Sequence, residues 1–298
     1  MTGKHIEVFL VDGAPGGITT AEIAGWAGHV LAGPRPDLAS ILRRNEVKRN
    51  GAYLLLGGDE DASALAQCYI GRTENFVNRF RDHMAKKDFW DRVVIITAKD
   101  DAFNEGHWGY LEARLVELAR EATRVELLNE NTPQGRKLSE AQASDMEAFI
   151  GQLQIVLPVL GVNAIRTRPV SGPSSPSGNI SPVFDLVNSK TRVNAQAQVV
   201  GGEFTVLEGS TVIGEWASAG RAESTKRAYA AYRAQHERLI ADGSIVIEAG
   251  VGRVTRHIPF RSPSTAGAIA LGRSCNGRIE WTWSGGTYGA WEERDIDV

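Results

Sequence analysis

The sequence predicts an α+β protein of two domains. Two glycine-bounded apolar segments, 51–57 and 66–71, face each other across an acidic loop, the pattern of an antiparallel hairpin. Helical repeats over 75–87 and 109–122 flank a short β-branched run, Val93-Val94-Ile95-Ile96-Thr97, suited to the middle of a small sheet. Residues 169–182, PVSGPSSPSGNISP, then make a Pro-, Gly- and Ser-rich linker before a second unit. A chain of 298 residues also holds about two domains by length.

Taken in order, residues 6–11 (IEVFLV) read as a strand, and the following DGAPGG as a turn; it matches neither phosphate-binding glycine fingerprint. Residues 21–33 have mixed periodicity, and Leu38 to Arg44 reads as a short helix. In the hairpin, the midpoint between Tyr53 and Tyr69 falls at residue 61, inside the loop, which places the two tyrosines near one another. The helix from Asn75 to Lys87 is expected to bury Phe76, Phe80 and Met84, and that from Gly109 to Ala122 to bury Leu111, Leu115, Leu118 and Ala122. A further helix starts at Ser139, or later at a Ser144/Glu147 capping box, and runs to about Leu157. Beyond the linker come a hairpin-like stretch, EFTVLEGSTVIGEW, and a long helix from Ser224 to Ala241. The boundaries read as an N-terminal strand and helix extension (1–50), a first domain (51–133), a helical connector (134–168), a linker (169–183) and a C-terminal domain (184–298).

Composition narrows the setting. The run of roughly 20 apolar residues that spans a membrane is missing, as is a basic-then-apolar leader, so a cytoplasmic protein without a membrane partner is expected. Two widely spaced cysteines, Cys68 and Cys275, supply neither a disulfide framework nor a Cys-type zinc site. The net charge of −3 means that any nucleic-acid contact must draw on locally concentrated positive charge.

The first domain holds the residues that could carry chemistry. Glu112 lies at the edge of its helix's apolar face, beside Val116 and Ala119, where a half-desolvated carboxylate needs a cation or a hydrogen bond. An arginine would serve, as would Mg²⁺, which takes one or two carboxylates plus water and phosphate oxygens. Arg79 and His83 stand four apart beside the Phe76/Phe80 stripe; a planar guanidinium there suits a phosphate, though a solvated surface pair fits as well. Tyr53 and Tyr69 read as strand aromatics or, close to cations, as proton-transfer groups. Arg72, Arg81, Lys86, Lys87 and Arg92 form a local basic patch, offsetting an acidic loop at Asp59, Glu60 and Asp61.

Together the string GAYLLLG…CYIGRTENFVNRFRDH…YLEARLVELA resembles the GIY-YIG nuclease family over residues 51–133, with Ala52 at the middle position of the first motif. The resemblance implies a three-stranded antiparallel sheet flanked by helices. It also implies a divalent-metal-dependent endonuclease acting on DNA, duplex or branched, in restriction or defence, repair or mobile-element processing. On that mapping Tyr53 activates water, Tyr69 supports the water or a phosphate oxygen, Arg79 clamps the scissile phosphate and His83 accompanies it. Glu112 holds one Mg²⁺ or Mn²⁺. The family asparagine falls on Asn129 or Asn131, and Asn131 joins Arg72, Arg81, Lys86 and Lys87 as a candidate nucleic-acid contact. The alternative is a catalytically weak nucleic-acid-binding or regulatory module that keeps the fold.

The C-terminal stretch FRSPSTAGAIALGRSCNGRIEWTW…GTYGAW resembles a domain of unknown function often fused behind such nucleases, over about 236–291. Ser262 to Leu271 is expected to be a helix capped by Gly272, and Asn276-Gly277 a hairpin turn into a strand holding Trp281 and Trp283. The tryptophans with Arg273 and Arg278 could grip nucleic acid, but a small domain's core is the better expectation. A homodimer or a partner protein bound through this domain would be compatible with its unknown role.

Overall fold

The computed structural model describes residues 3–58, 65–99, 103–131, 133–135, 137–166, 181–216 and 223–294, the side chains of 223–228 excepted. The acidic loop at Asp59–Asp61 and most of the linker lie outside the described residues. The fold is α+β, in two compact units, Met1–Val170 and Ser171–Val298. Among the described residues, no helix is long and apolar enough to cross a membrane.

Unit 1 begins with β1 (Ile6–Leu10), β2 (Thr19–Ile23) and β3 (Gly28–Pro34), followed by α1 (Leu38–Leu42). Then come β4 (Gly51–Gly57), β5 (Gln67–Thr73), α2 (Phe76–Lys86), β6 (Arg92–Ala98), α3 (Glu105–Ala122), β7 (Glu126–Leu127) and α4 (Glu140–Val159). The three expected strands are present and antiparallel, but they are the middle of a seven-stranded sheet ordered β1-β2-β3-β6-β4-β5-β7. The sheet is wider because β6 is apolar on both faces and its second edge needs covering. β3 pairs along its whole length, from Gly28↔Ala98 to Pro34↔Arg92. β3 is itself buried on both faces, so its sequence does not alternate.

Alternation along the central strands splits the core in two. Ala52, Leu54, Ile70, Val94 and Ile96 pack with Leu111 and Leu115 of α3 and Phe149 and Leu153 of α4. Tyr53, Leu55, Val93 and Ile95 pack on the other face with Ile41 of α1 and Phe76 and Phe80 of α2. In α2 the third buried position is His83 and not Met84, which is 50 % exposed. Seven residues make nearly two whole turns from Phe76, whereas eight overshoot the buried line. α3 starts four residues earlier than its apolar repeat suggests, because Asn104 caps it in a box closed by the His107 ring. α4 starts at Ser139, capped with Gln142. Glu147 instead binds Arg114 Nε at 2.8 Å and Tyr110 Oη at 2.7 Å, joining α4 to α3.

Unit 2 contains β8 (Phe184–Asn188), β9 (Val193–Val200), β10 (Glu203–Val206), β11 (Thr211–Ile213), α5 (Glu223–Ala241), β12 (Ile245–Glu248), β13 (Val251–Val254) and β14 (Ile258–Phe260). It ends with α6 (Pro263–Leu271), α7 (Gly277–Glu280), β15 (Thr282–Trp283), β16 (Gly286–Thr287) and α8 (Tyr288–Glu293). The stretch 203–216 is not a hairpin. β10 and β11 lie in line along one edge of β9, with Val206↔Ala197 and Thr211↔Asn194. The tight turn precedes them at Gly201-Gly202, where both φ are positive (58° and 84°), as a two-residue hairpin turn requires. Asn276-Gly277 is likewise not a turn between strands: Asn276 Oδ1 accepts the Arg278 N–H and caps α7. α6 is as expected, with Ser262 at its start and left-handed Gly272 at its end.

Candidate active site

β4 and β5 pair with Tyr53 opposite Gly71 and Tyr69 opposite Leu55. The register centre is thus one residue beyond the sequence midpoint, and the tyrosines are diagonal neighbours on one face, with ring centroids 6.4 Å apart. The glycine opposite Tyr53 is required. A Cβ on Gly71 would stand 2.4 Å from Tyr53 Oη, and one on Gly51 would stand 2.4 Å from the Ile96 carbonyl oxygen of β6.

α2 brings Arg79 and His83 to the same face. Arg79 Nε donates to Tyr53 Oη at 2.8 Å and Arg79 Nη2 to Tyr69 Oη at 3.4 Å. His83 Nε2 lies 2.7 Å from Tyr53 Oη. With Arg79 donating to the phenol oxygen, a neutral His83 protonated on Nδ1 accepts the phenol proton; this tautomer follows from the hydrogen-bond network. Burial pushes His83 down to about 4, helped by the charges of Arg79 and Lys87, so the ring is neutral at pH 7. Burial pushes the Tyr53 hydroxyl above its ordinary range, despite the opposing hydrogen bond and charge of Arg79. Tyr53 is fully enclosed (0 % exposed), while Tyr69 is partly open and carries the Lys87 ammonium 4.2 Å above its ring.

Glu112 arrives from the opposite face. Strand alternation turns Arg72, next to Gly71, toward α3, and its Nε lies 3.2 Å from Glu112 Oε2 while Nη1 lies 3.3 Å from Glu105 Oε1. Burial raises the Glu112 carboxyl above the usual carboxylate range, against the charge and hydrogen bonds of Arg72. The charge of Glu112 in turn acts on both Tyr53 and Arg79. Two clusters therefore meet across β5: Tyr53, Tyr69, Arg79 and His83 on one side, Arg72, Glu105 and Glu112 on the other.

Asn129 follows β7 and extends the ladder with its side chain. Its Oδ1 accepts the Ile70 N–H at 2.9 Å and its Nδ2 donates to the Ile70 carbonyl at 2.8 Å. Asn131 is exposed and stands outside both clusters. Of the basic patch, Arg81 and Lys86 are exposed, Arg72 is committed to glutamates, and Arg92 Nη2 donates to the Leu160 carbonyl at 2.7 Å. Asn129, Gly71 and the Arg72–Glu105 pair complete the site; of these Glu105 has no sequence signal, and strand pairing and helix packing give the others their partners.

Among the described residues no three His, Cys, Asp or Glu side chains cluster as a metal cage. Glu112 alone, with water and a phosphate oxygen, is the donor set that suits Mg²⁺ or Mn²⁺. In unit 2, Trp281 is fully buried with Nε1 donating to the Pro263 carbonyl, and Trp283 and Trp291 pack against the core. Arg273 is bidentate to Glu280, and Arg278 pairs with Glu292 and Glu293, so the tryptophans are core and these arginines are matched by acids.

Comparison with curated proteins and with solved structures finds no match. No GIY-YIG family model matches unit 1. Residues 186–292, nearly all of the described residues of unit 2, match the family model described as a domain of unknown function, DUF4357.

Proposed function

We propose that unit 1 is a divalent-metal-dependent endonuclease hydrolysing phosphodiester bonds in DNA, with residues 51–133 as its cutting module. The observation that carries this reading is the shared hydroxyl of Tyr53, bound by Arg79 and His83, with the Glu112 charge within its field. Arg79 uses Nε on Tyr53 and Nη2 on the partly open Tyr69 hydroxyl, and its Nη1 would meet a phosphate. Tyr69 meets the attacking water or a phosphate oxygen. Behind it, Tyr53 and His83 act as a proton-accepting pair: neutral His83 takes the phenol proton as Tyr53 takes the proton that the attacking water gives up through the Tyr69 hydroxyl. Glu112 would hold Mg²⁺ or Mn²⁺, which when bound supplies positive charge for the leaving oxygen.

The test is nicking of supercoiled plasmid with Mg²⁺ or Mn²⁺ by the full chain, beside Glu112→Ala and Tyr53→Phe. Metal-dependent nicking lost in both variants supports the reading; equal nicking by wild type and Glu112→Ala removes it. The enclosure of Tyr53 and the hold of Arg72 on Glu112 favour a second reading, a DNA-binding or regulatory module with little cleavage. That reading expects DNA binding without nicking in all three proteins.

A further inference from the structure

We infer that Arg72 is a latch that couples the binding of a phosphodiester to the binding of the cation, a positioning role that rests on the nuclease reading above. Glu105 and Glu112 stand seven residues apart on α3, close to two turns, so both reach the same line on the helix surface. The planar guanidinium of Arg72 bridges them, with Nε on Glu112 and Nη1 on Glu105. The carboxylate proposed to take the cation is thus already matched by a positive charge held at two points.

A guanidinium and a divalent cation compete for one carboxylate and repel each other. The Glu112 side chain is only 15 % exposed, so little water screens that repulsion. A phosphate changes the balance. The arginine fork fits two phosphate oxygens better than single contacts to two separate carboxylates. Arg72 is 31 % exposed and has an open side from which to turn. Its departure frees Glu112 when the substrate is present. By linkage, phosphate then tightens the cation and the cation tightens phosphate by the same factor. Plain attraction between cation and phosphate gives the same sign. What belongs to a latch alone is that Arg72 holds cation affinity down when no DNA is bound.

The experiment is an electron paramagnetic resonance titration of Mn²⁺ into the full chain without DNA, for wild type, Arg72→Gln, Arg72→Met and Glu112→Gln. The Arg72→Gln change keeps a side-chain donor for Glu112 and removes the charge. Mn²⁺ is expected to bind about tenfold tighter to Arg72→Gln than to wild type, and more tightly to Arg72→Met in the same direction. An uncleavable phosphorothioate duplex should then tighten Mn²⁺ more in wild type than in Arg72→Gln. A folded Arg72→Gln protein, judged by circular dichroism and melting, that binds Mn²⁺ no tighter than wild type overturns the latch. If Arg72→Gln does not fold, Arg72→Met decides, and unchanged or weaker Mn²⁺ binding there overturns it. Mn²⁺ binding indifferent to Glu112→Gln, with and without DNA, removes the metal site itself and the latch with it.

Discussion

The hydroxyl of Tyr53 lies directly above Gly71, the residue opposite it on β5, in space that any side chain would fill. Gly71→Ala is therefore expected to push the Tyr53 ring off Arg79 and His83. Overpacking of this kind costs about 1–3 kcal/mol. A lower melting temperature with nicking abolished is the expected result; unchanged melting and activity would show that the strand gives way freely.

Tyr53→Phe removes one oxygen and leaves two partners, half-buried Arg79 Nε and buried His83 Nε2, unsatisfied. The expected loss of stability is about 1–3 kcal/mol, readable by urea denaturation. If the pair accepts the proton, nicking falls by about 10²-fold or more. A large stability loss with normal nicking would leave Tyr53 a scaffold.

His83, pushed down to about 4 by burial first and neighbouring cations second, titrates near 6.5 when unfolded. The unfolded chain takes up the proton first, so this residue's contribution to stability is whole above about pH 6.5 and is lost as pH falls toward 4. The loss amounts to about 3 kcal/mol at most. Stability of wild type should decline more steeply than that of His83→Gln between pH 7 and pH 4; parallel curves would mean that His83 is not held neutral.

Asn129 and Asn131 should separate cleanly. Asn129→Ala strips both main-chain groups of Ile70 of their partners, at about 1–3 kcal/mol. Asn131→Ala, at an exposed position, should stay within about 0.5 kcal/mol. Melting curves of the two variants measure this, and equal effects would contradict the ladder role of Asn129.

In unit 2, Trp281→Ala should cost about 3–5 kcal/mol as a core deletion, with loss of near-ultraviolet circular dichroism. A stable variant whose only defect is weaker DNA binding would instead make Trp281 a contact residue.

Much of unit 1 is legible in the sequence where one period governs one element. The diagonal tyrosines follow from strand alternation, and Arg79 with His83 from the helical repeat. The misplacement of Met84 comes from counting in fours where the helix turns every 3.6 residues. β3 is hidden because a strand buried on both faces shows no alternation, whereas β2 alternates but offers only Ala21 and Ile23 as buried apolar positions in five residues. The partner of Glu112 is hidden for a different reason: Arg72 reaches it only through the packing of α3 on β5, a long-range relation that no local pattern records. In unit 2 the reversing turn, Gly201-Gly202, carries the signal, while the following EGST is also a turn, closed by the Ser210 N–H on the Leu207 carbonyl, but it does not reverse the chain and β10 and β11 continue along β9.

The position of β6 has a consequence for how the chain reaches its native state. β6 lies between β3 and β4, yet it is made after both, and Gly28 waits for Ala98 as its pairing partner. The β1–β3 meander and the β4–β5 hairpin can each form from neighbouring residues alone, but neither can bury its inner edge until Arg92 to Ala98 has emerged. Closure over such a sequence separation slows folding relative to local pairing. A nascent chain stopped before Arg92 holds two unjoined β pieces with sticky apolar edges, and β6 is the strand that welds them into one sheet.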